Sequence, residues 1–231
     1  MNCPFKDRCN GVDCESGTCE KQYRLNNLFE KSLLTEEQRI PRTLYPDADQ
    51  TDLAEFRRLA GIEQNITRFV REGYNLYLHS YGIGNGKTSW AIKLLSAYFY
   101  KIWSKTNFEC QGLFISVPRY LLALKASITA TDPYADYINK NILKADIVIW
   151  DDIAAKVGTE FELNHLLSLI NTRIDMGKCN IFTTNLGRIE LTKALGERLG
   201  SRICNTSIDI EFKGSDKRYL TLSKNQKGAK A

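Results

Sequence analysis

No stretch of the 231-residue sequence approaches the ~20 consecutive apolar residues that a bilayer-spanning helix needs, so a transmembrane segment is excluded. The first twenty residues are polar and cysteine-rich and lack an apolar core, which excludes a secretory signal. These two absences predict a cytoplasmic protein with no membrane partner. Thiols stay reduced there, and the sequons at Asn65 and Asn205 carry no meaning. Internal repeats are missing, and low complexity is confined to the polar tail from Lys224 to Ala231. A strong excess of one charge is missing too. The net charge of +5 permits a nucleic-acid partner without requiring one.

What is present is an ordinary globular composition, 43% hydrophobic, long enough for one α/β domain and a small appendage. Leu25, Leu28, Phe29 and Leu33 recur at helical spacing, and a polar stretch with Pro41 and Pro46 follows. A second helix is expected from Thr51 to Arg71, capped by Thr51 or Asp52. Strands are expected at 74–79, 113–117, 146–150, 180–184 and 207–212, alternating with helices. Short apolar strands in that alternation predict a parallel sheet covered on both faces, a three-layer α/β fold.

The turn after the first strand reads Gly82-Ile83-Gly84-Asn85-Gly86-Lys87-Thr88, then Ser89, and opens a helix. Strand, glycine-rich turn and helix is the context of a phosphate-binding loop. Glycines let backbone N–H groups turn onto phosphate oxygens, and the helix N-terminus adds partial positive charge. Lys87 is expected to reach the β- and γ-phosphates of ATP, and the Thr88 hydroxyl to hold Mg²⁺. The usual pattern has glycine at position 81, where this chain has Tyr81.

The strand Ile147-Val148-Ile149-Trp150 ends in Asp151-Asp152, which puts two carboxylates at the ligand-binding edge of an open sheet. Asp151 is expected to serve Mg²⁺ and Asp152 to polarise the attacking water. The next strand ends Thr183-Thr184-Asn185, where an amide can orient that water. Arg198 and Arg202 stand four apart on one helical face, as arginines able to reach a neighbouring subunit's ATP.

Together Gly84-Asn85-Gly86-Lys87-Thr88, Asp151-Asp152, Thr184-Asn185 and Arg198…Ser201-Arg202 resemble the AAA+ ATPases of the DnaC/DnaI helicase-loader type, over about residues 74–212. The resemblance implies a P-loop ATPase that loads the replicative hexameric helicase onto single-stranded DNA and assembles through ATP-bridged contacts. It implies that Asn185 is the first sensor and Arg202 the arginine finger, with Arg198 beside it. It also implies that a helical insertion, here residues 118–143, meets DNA, with Arg119 and Lys125 on phosphates and Tyr120 either stacked on a base or packed in the core. A related transposition helper of the IstB type is the alternative function. The residues after Phe212 do not accommodate a full helical lid, and Arg218 has no assigned role.

Four of the seven cysteines, Cys3, Cys9, Cys14 and Cys19, fall in a C-x5-C-x4-C-x4-C head, while Cys110, Cys179 and Cys204 lie in apolar surroundings and are expected to be buried. In a reducing compartment such a head is read as a Zn²⁺ site, with an iron–sulfur cluster as the alternative. The expected domains are a head at 1–20, a helical linker at 21–50, the ATPase domain at 51–224 and a tail at 225–231.

Overall fold

The computed structural model describes residues 18–47, 50–127, 130–155 and 158–217. Five strands form one sheet: β1 (Asn75–His79), β2 (Gly112–Ser116), β3 (Ile147–Asp151), β4 (Cys179–Thr184) and β5 (Ser207–Glu211), in the order β2-β3-β4-β1-β5. Every pairing is parallel. Successive side chains of a strand point to opposite faces, and the apolar residues sort accordingly. Leu76, Leu78, Ile147, Ile149, Ile181 and Ile210 enter one core. Tyr77, Val148, Trp150, Phe182, Leu113 and Ile115 enter the other. Both faces must therefore be covered, and the strands read as continuous apolar runs for that reason.

The first face is covered by α1 (Thr18–Lys31), α3 (Leu53–Gln64), α4 (Ile66–Arg71) and α5 (Lys87–Ile102). The second is covered by α6 (Val117–Ala126), α7 (Pro133–Asn141), α8 (Glu160–Asp175), α9 (Arg188–Leu195) and α10 (Glu197–Thr206). The short α2 (Glu36–Arg39) starts with a capping box from Thr35. The chain leaves β1 toward β2 on one side and returns from β4 to β5 on the other. The crevice at the C-terminal ends of β1 and β4 is thus the switch point where open α/β sheets hold ligands.

Two expectations differ from the structure. The segment read as a linker from residue 21 packs into the core along α1, where Leu25, Leu28 and Phe29 are buried and Phe29 meets Phe99 edge-on. Ser32 O then accepts the Phe114 N–H, which ties this arm to the edge strand β2. The expected helix 51–71 is two helices broken at Asn65. Asp52 stands at the first cap position with φ 66, and its side chain does not cap α3. Of the two readings of Tyr120, the core one holds, since its side chain is fully buried. Its hydroxyl donates to Asn139 Oδ1 at 2.5 Å and lies 2.8 Å from His165 Nε2. Arg119 lies over the Tyr134 ring and Lys125 pairs with Glu162.

Candidate phosphate-binding site

The loop between β1 and α5 is built around the Lys87 ammonium, which is buried. Lys87 Nζ donates to Gly82 O and Asn85 Oδ1 at 3.0 Å each, and lies 3.4 Å from Ser80 Oγ. Ser80 Oγ donates to Gly82 O at 2.7 Å and accepts from Gly82 N–H at 2.9 Å, and Asn85 Nδ2 also donates to it. Carbonyl, amide and hydroxyl oxygens therefore line the pocket of this cation.

Gly84 and Gly86 have φ of +72 and +102, a region L side chains rarely adopt. Gly86 stands directly before α5, and its carbonyl accepts from Trp90 N–H at 2.8 Å. Lys87, Thr88 and Ser89 form the first turn of the helix, whose N-terminal end faces this loop. Neither Tyr81 nor Gly82 has positive φ, which explains why tyrosine is tolerated where glycine is usual. The Tyr81 ring is exposed, and its hydroxyl lies over Gly187 and 3.4 Å from Glu190 Oε2.

β3 delivers Asp151 to this loop. Its Oδ1 accepts from Thr88 Oγ1 at 2.8 Å and from Thr183 Oγ1 at 2.7 Å. Burial pushes the Asp151 carboxyl up from its ordinary range, the two hydroxyls oppose that, and the Asp152 carboxylate adds to it. Asp152 is exposed beside it at φ 55, and its N–H donates to Thr183 Oγ1 at 3.0 Å. Thr183 therefore fixes both aspartates from the neighbouring strand. Asn185 is exposed immediately after β4. Arg198 and Arg202 lie on α10, away from this cluster. Arg202 pairs with Asp175 at the end of α8.

Ser80 and the segment 38–42 carry no motif and were legible only in three dimensions. A cleft of about 280 Å³ runs from Thr88 and Ser89 along α5, walled by Arg39, Ile40 and Pro41. Of the head cysteines, Cys3, Cys9 and Cys14 lie outside the described residues, and Cys19 is exposed in the first turn of α1. Among the described residues no group of three or more ligating side chains is placed to hold a metal. Cys110, Cys179 and Cys204 are buried, and burial pushes the Cys179 thiol up to about 12.

No family model matches the chain, and no curated protein matches it in sequence. Solved structures do match. The DnaC helicase loader superposes with a TM-score of 0.59 at 21% identity, over 74% of this chain and 94% of that one. DnaI gives 0.59 at 20% identity, over 81% and 95%. This chain has the fold of DnaC and DnaI. A replication initiator, DnaA bound to AMPPCP and single-stranded DNA, gives 0.55 at 15% identity, over 88% of this chain and 55% of that one. The chain thus spans about half the DnaA length and nearly the whole of the two loaders. Among the described residues no helix is long and apolar enough to cross a membrane.

Proposed function

We propose that this chain is an ATP-driven switch that loads a replicative hexameric helicase onto single-stranded DNA. The observation that carries the nucleotide part is the convergence of Lys87, Thr88 and Asp151 at the end of α5, with Thr88 Oγ1 2.8 Å from Asp151 Oδ1. A hydroxyl and a carboxylate side by side are the hard oxygen donors that Mg²⁺ prefers, so the residues fit that ion. Thr88 and Asp151 would hold the ion, which would supply neutralisation of the charge developing on the phosphates. The Lys87 ammonium then exchanges its carbonyl contacts for the β- and γ-phosphates. Asp152, exposed one residue beyond Asp151, accepts the proton of the attacking water. The cleft between Ile40, Pro41 and α5 would take the base and ribose. Asn185 orients the water, and Arg202, with Arg198 beside it, reaches the nucleotide of a neighbouring copy.

The loader reading rests on the fold shared with DnaC and DnaI over most of both chains. Turnover is measured with and without single-stranded DNA for the wild type, Lys87→Ala and Asp152→Asn. Lys87→Ala is expected to abolish nucleotide binding. Asp152→Asn is expected to keep binding and lose turnover by at least ~10²-fold. Wild-type protein that never turns over ATP sinks the enzyme reading. Capture of a purified replicative helicase tests the partner, and loss of capture on deleting residues 1–20 assigns the grip to the cysteine head. For that head we propose Zn²⁺ on Cys3, Cys9, Cys14 and Cys19. Four titratable thiols in metal-free purified protein defeat it.

A further inference from the structure

Residues 213–217, just after β5, lie across the phosphate loop as a strap. Two carboxylates pin it. Asp52 accepts the N–H groups of Lys213 and Gly214 at 2.7 and 2.8 Å. Asp47 accepts the N–H and hydroxyl of Ser215 at 2.7 and 3.1 Å and pairs with Lys217 Nζ at 3.3 Å. Burial acts to raise the Asp47 carboxyl, but the Ser215 donors and the Lys217 ammonium outweigh it and hold it below its ordinary range. A side chain at Gly214 would sit 2.7 Å from both carboxylates. The Lys217 ammonium also lies 4.8 Å from the centre of the Phe56 ring on α3.

The strap reaches the loop at one peptide. Lys217 N–H donates to Gly84 O at 2.9 Å, and the Asp216 carboxylate fills the space where a Gly84 side chain would stand. A trans peptide is planar, with its C=O and the next N–H pointing in opposite directions. Anchoring Gly84 O to the strap therefore turns the Asn85 N–H to the other side. Asp52 gives up something for this arrangement. It holds a left-handed backbone and leaves α3 without the side-chain cap that an aspartate there normally supplies.

We propose that Asp47 and Asp52 are positioning residues for nucleotide binding: through the strap they orient the Gly84–Asn85 peptide so that its N–H is presented to the phosphates. This rests on the loop being a nucleotide site. The test compares Lys217→Pro, which removes the amide donor, with Lys217→Ala, which removes only the side chain, and with Asp52→Asn. Affinity for a fluorescent ATP analogue and the KM and kcat for ATP are read on the full chain. Lys217→Pro and Asp52→Asn are expected to raise Kd and KM about tenfold with kcat at saturation within about twofold, and Lys217→Ala to raise them less than about threefold. Lys217→Pro matching Lys217→Ala, or binding as tightly as wild type, overturns the proposal and leaves the nucleotide site standing. Wild type that fails to bind the analogue overturns both.

Discussion

At the residue scale the least expected group is Arg173, fully buried in α8 and, among the described residues, in no ion pair with a carboxylate. Its guanidinium donates to Asn180 Oδ1 at 2.8 Å, to Ala145 O at 2.8 Å, to Cys179 O at 2.7 Å and to Ile142 O. Burial pushes its pKa down to about 10, which still leaves it charged at neutral pH. The planar fork ties together backbone carbonyls from the end of α7 and from the starts of β3 and β4. Asn180 extends the network to Trp150 Nε1 and Asn75. An apolar replacement leaves several buried acceptors bare, each at about 1–3 kcal/mol. Arg173→Met is therefore expected to cost at least ~3 kcal/mol and to lower Tm by roughly 6–12 °C, read by calorimetry. A shift under about 2 °C means the carbonyls find other partners. Nothing in the sequence flagged this residue, because a lone arginine on a helix reads as a solvated one.

At the scale of elements, periodicity made the strands and the helix α5 legible to within a residue or two. The phosphate loop was legible because glycines, lysine and threonine are each demanded by backbone or charge. The strap was not legible, because backbone donors 213–215 have no residue signature and their acceptors stand more than 160 positions earlier. The break at Asn65 and the packing of α1 were missed because helical spacing does not say against what a helix packs. The start of α8 at Glu160 carries a full capping box. Thr159 Oγ1 accepts from Glu162 N–H, while Glu162 Oε2 accepts from Thr159 N–H at 2.6 Å and Lys125 pairs with Glu162. Burial acts to raise the Glu162 carboxyl, but these donors hold it below its ordinary 4.5. A lowered carboxylate contributes stability above its unfolded pKa and loses it as pH falls through the folded one. Wild type is thus expected to lose more stability than Glu162→Gln between about pH 5 and pH 3, by denaturant titration at each pH. Equal slopes remove Glu162 from the acid response.

At the scale of the whole molecule, the two arginines of α10 take no part in their own chain's site. Arg202 pairs instead with Asp175, whose side chain is 67% exposed. An exposed pair of this kind is worth about 0–1 kcal/mol, whereas an arginine stabilising phosphoryl transfer is worth roughly 10³–10⁵ in rate. In the proposed assembly the intrachain contact would be a weak parking place that a triphosphate on the adjacent copy would outcompete. This reading has a consequence that no single-chain defect can mimic. Arg202→Ala leaves a sound phosphate loop with no finger, and Asp152→Asn leaves a finger with no base. Each is expected to be nearly inactive alone. Mixed in equal amounts, they form interfaces in which Arg202 of one variant faces Asp152 of the other, about a quarter of contacts if pairing is random. Turnover should then return to about that fraction of wild type and rise with total protein concentration. Mixtures as inactive as their parts would place Arg202 outside the reaction and return it to Asp175 as an ordinary surface pair.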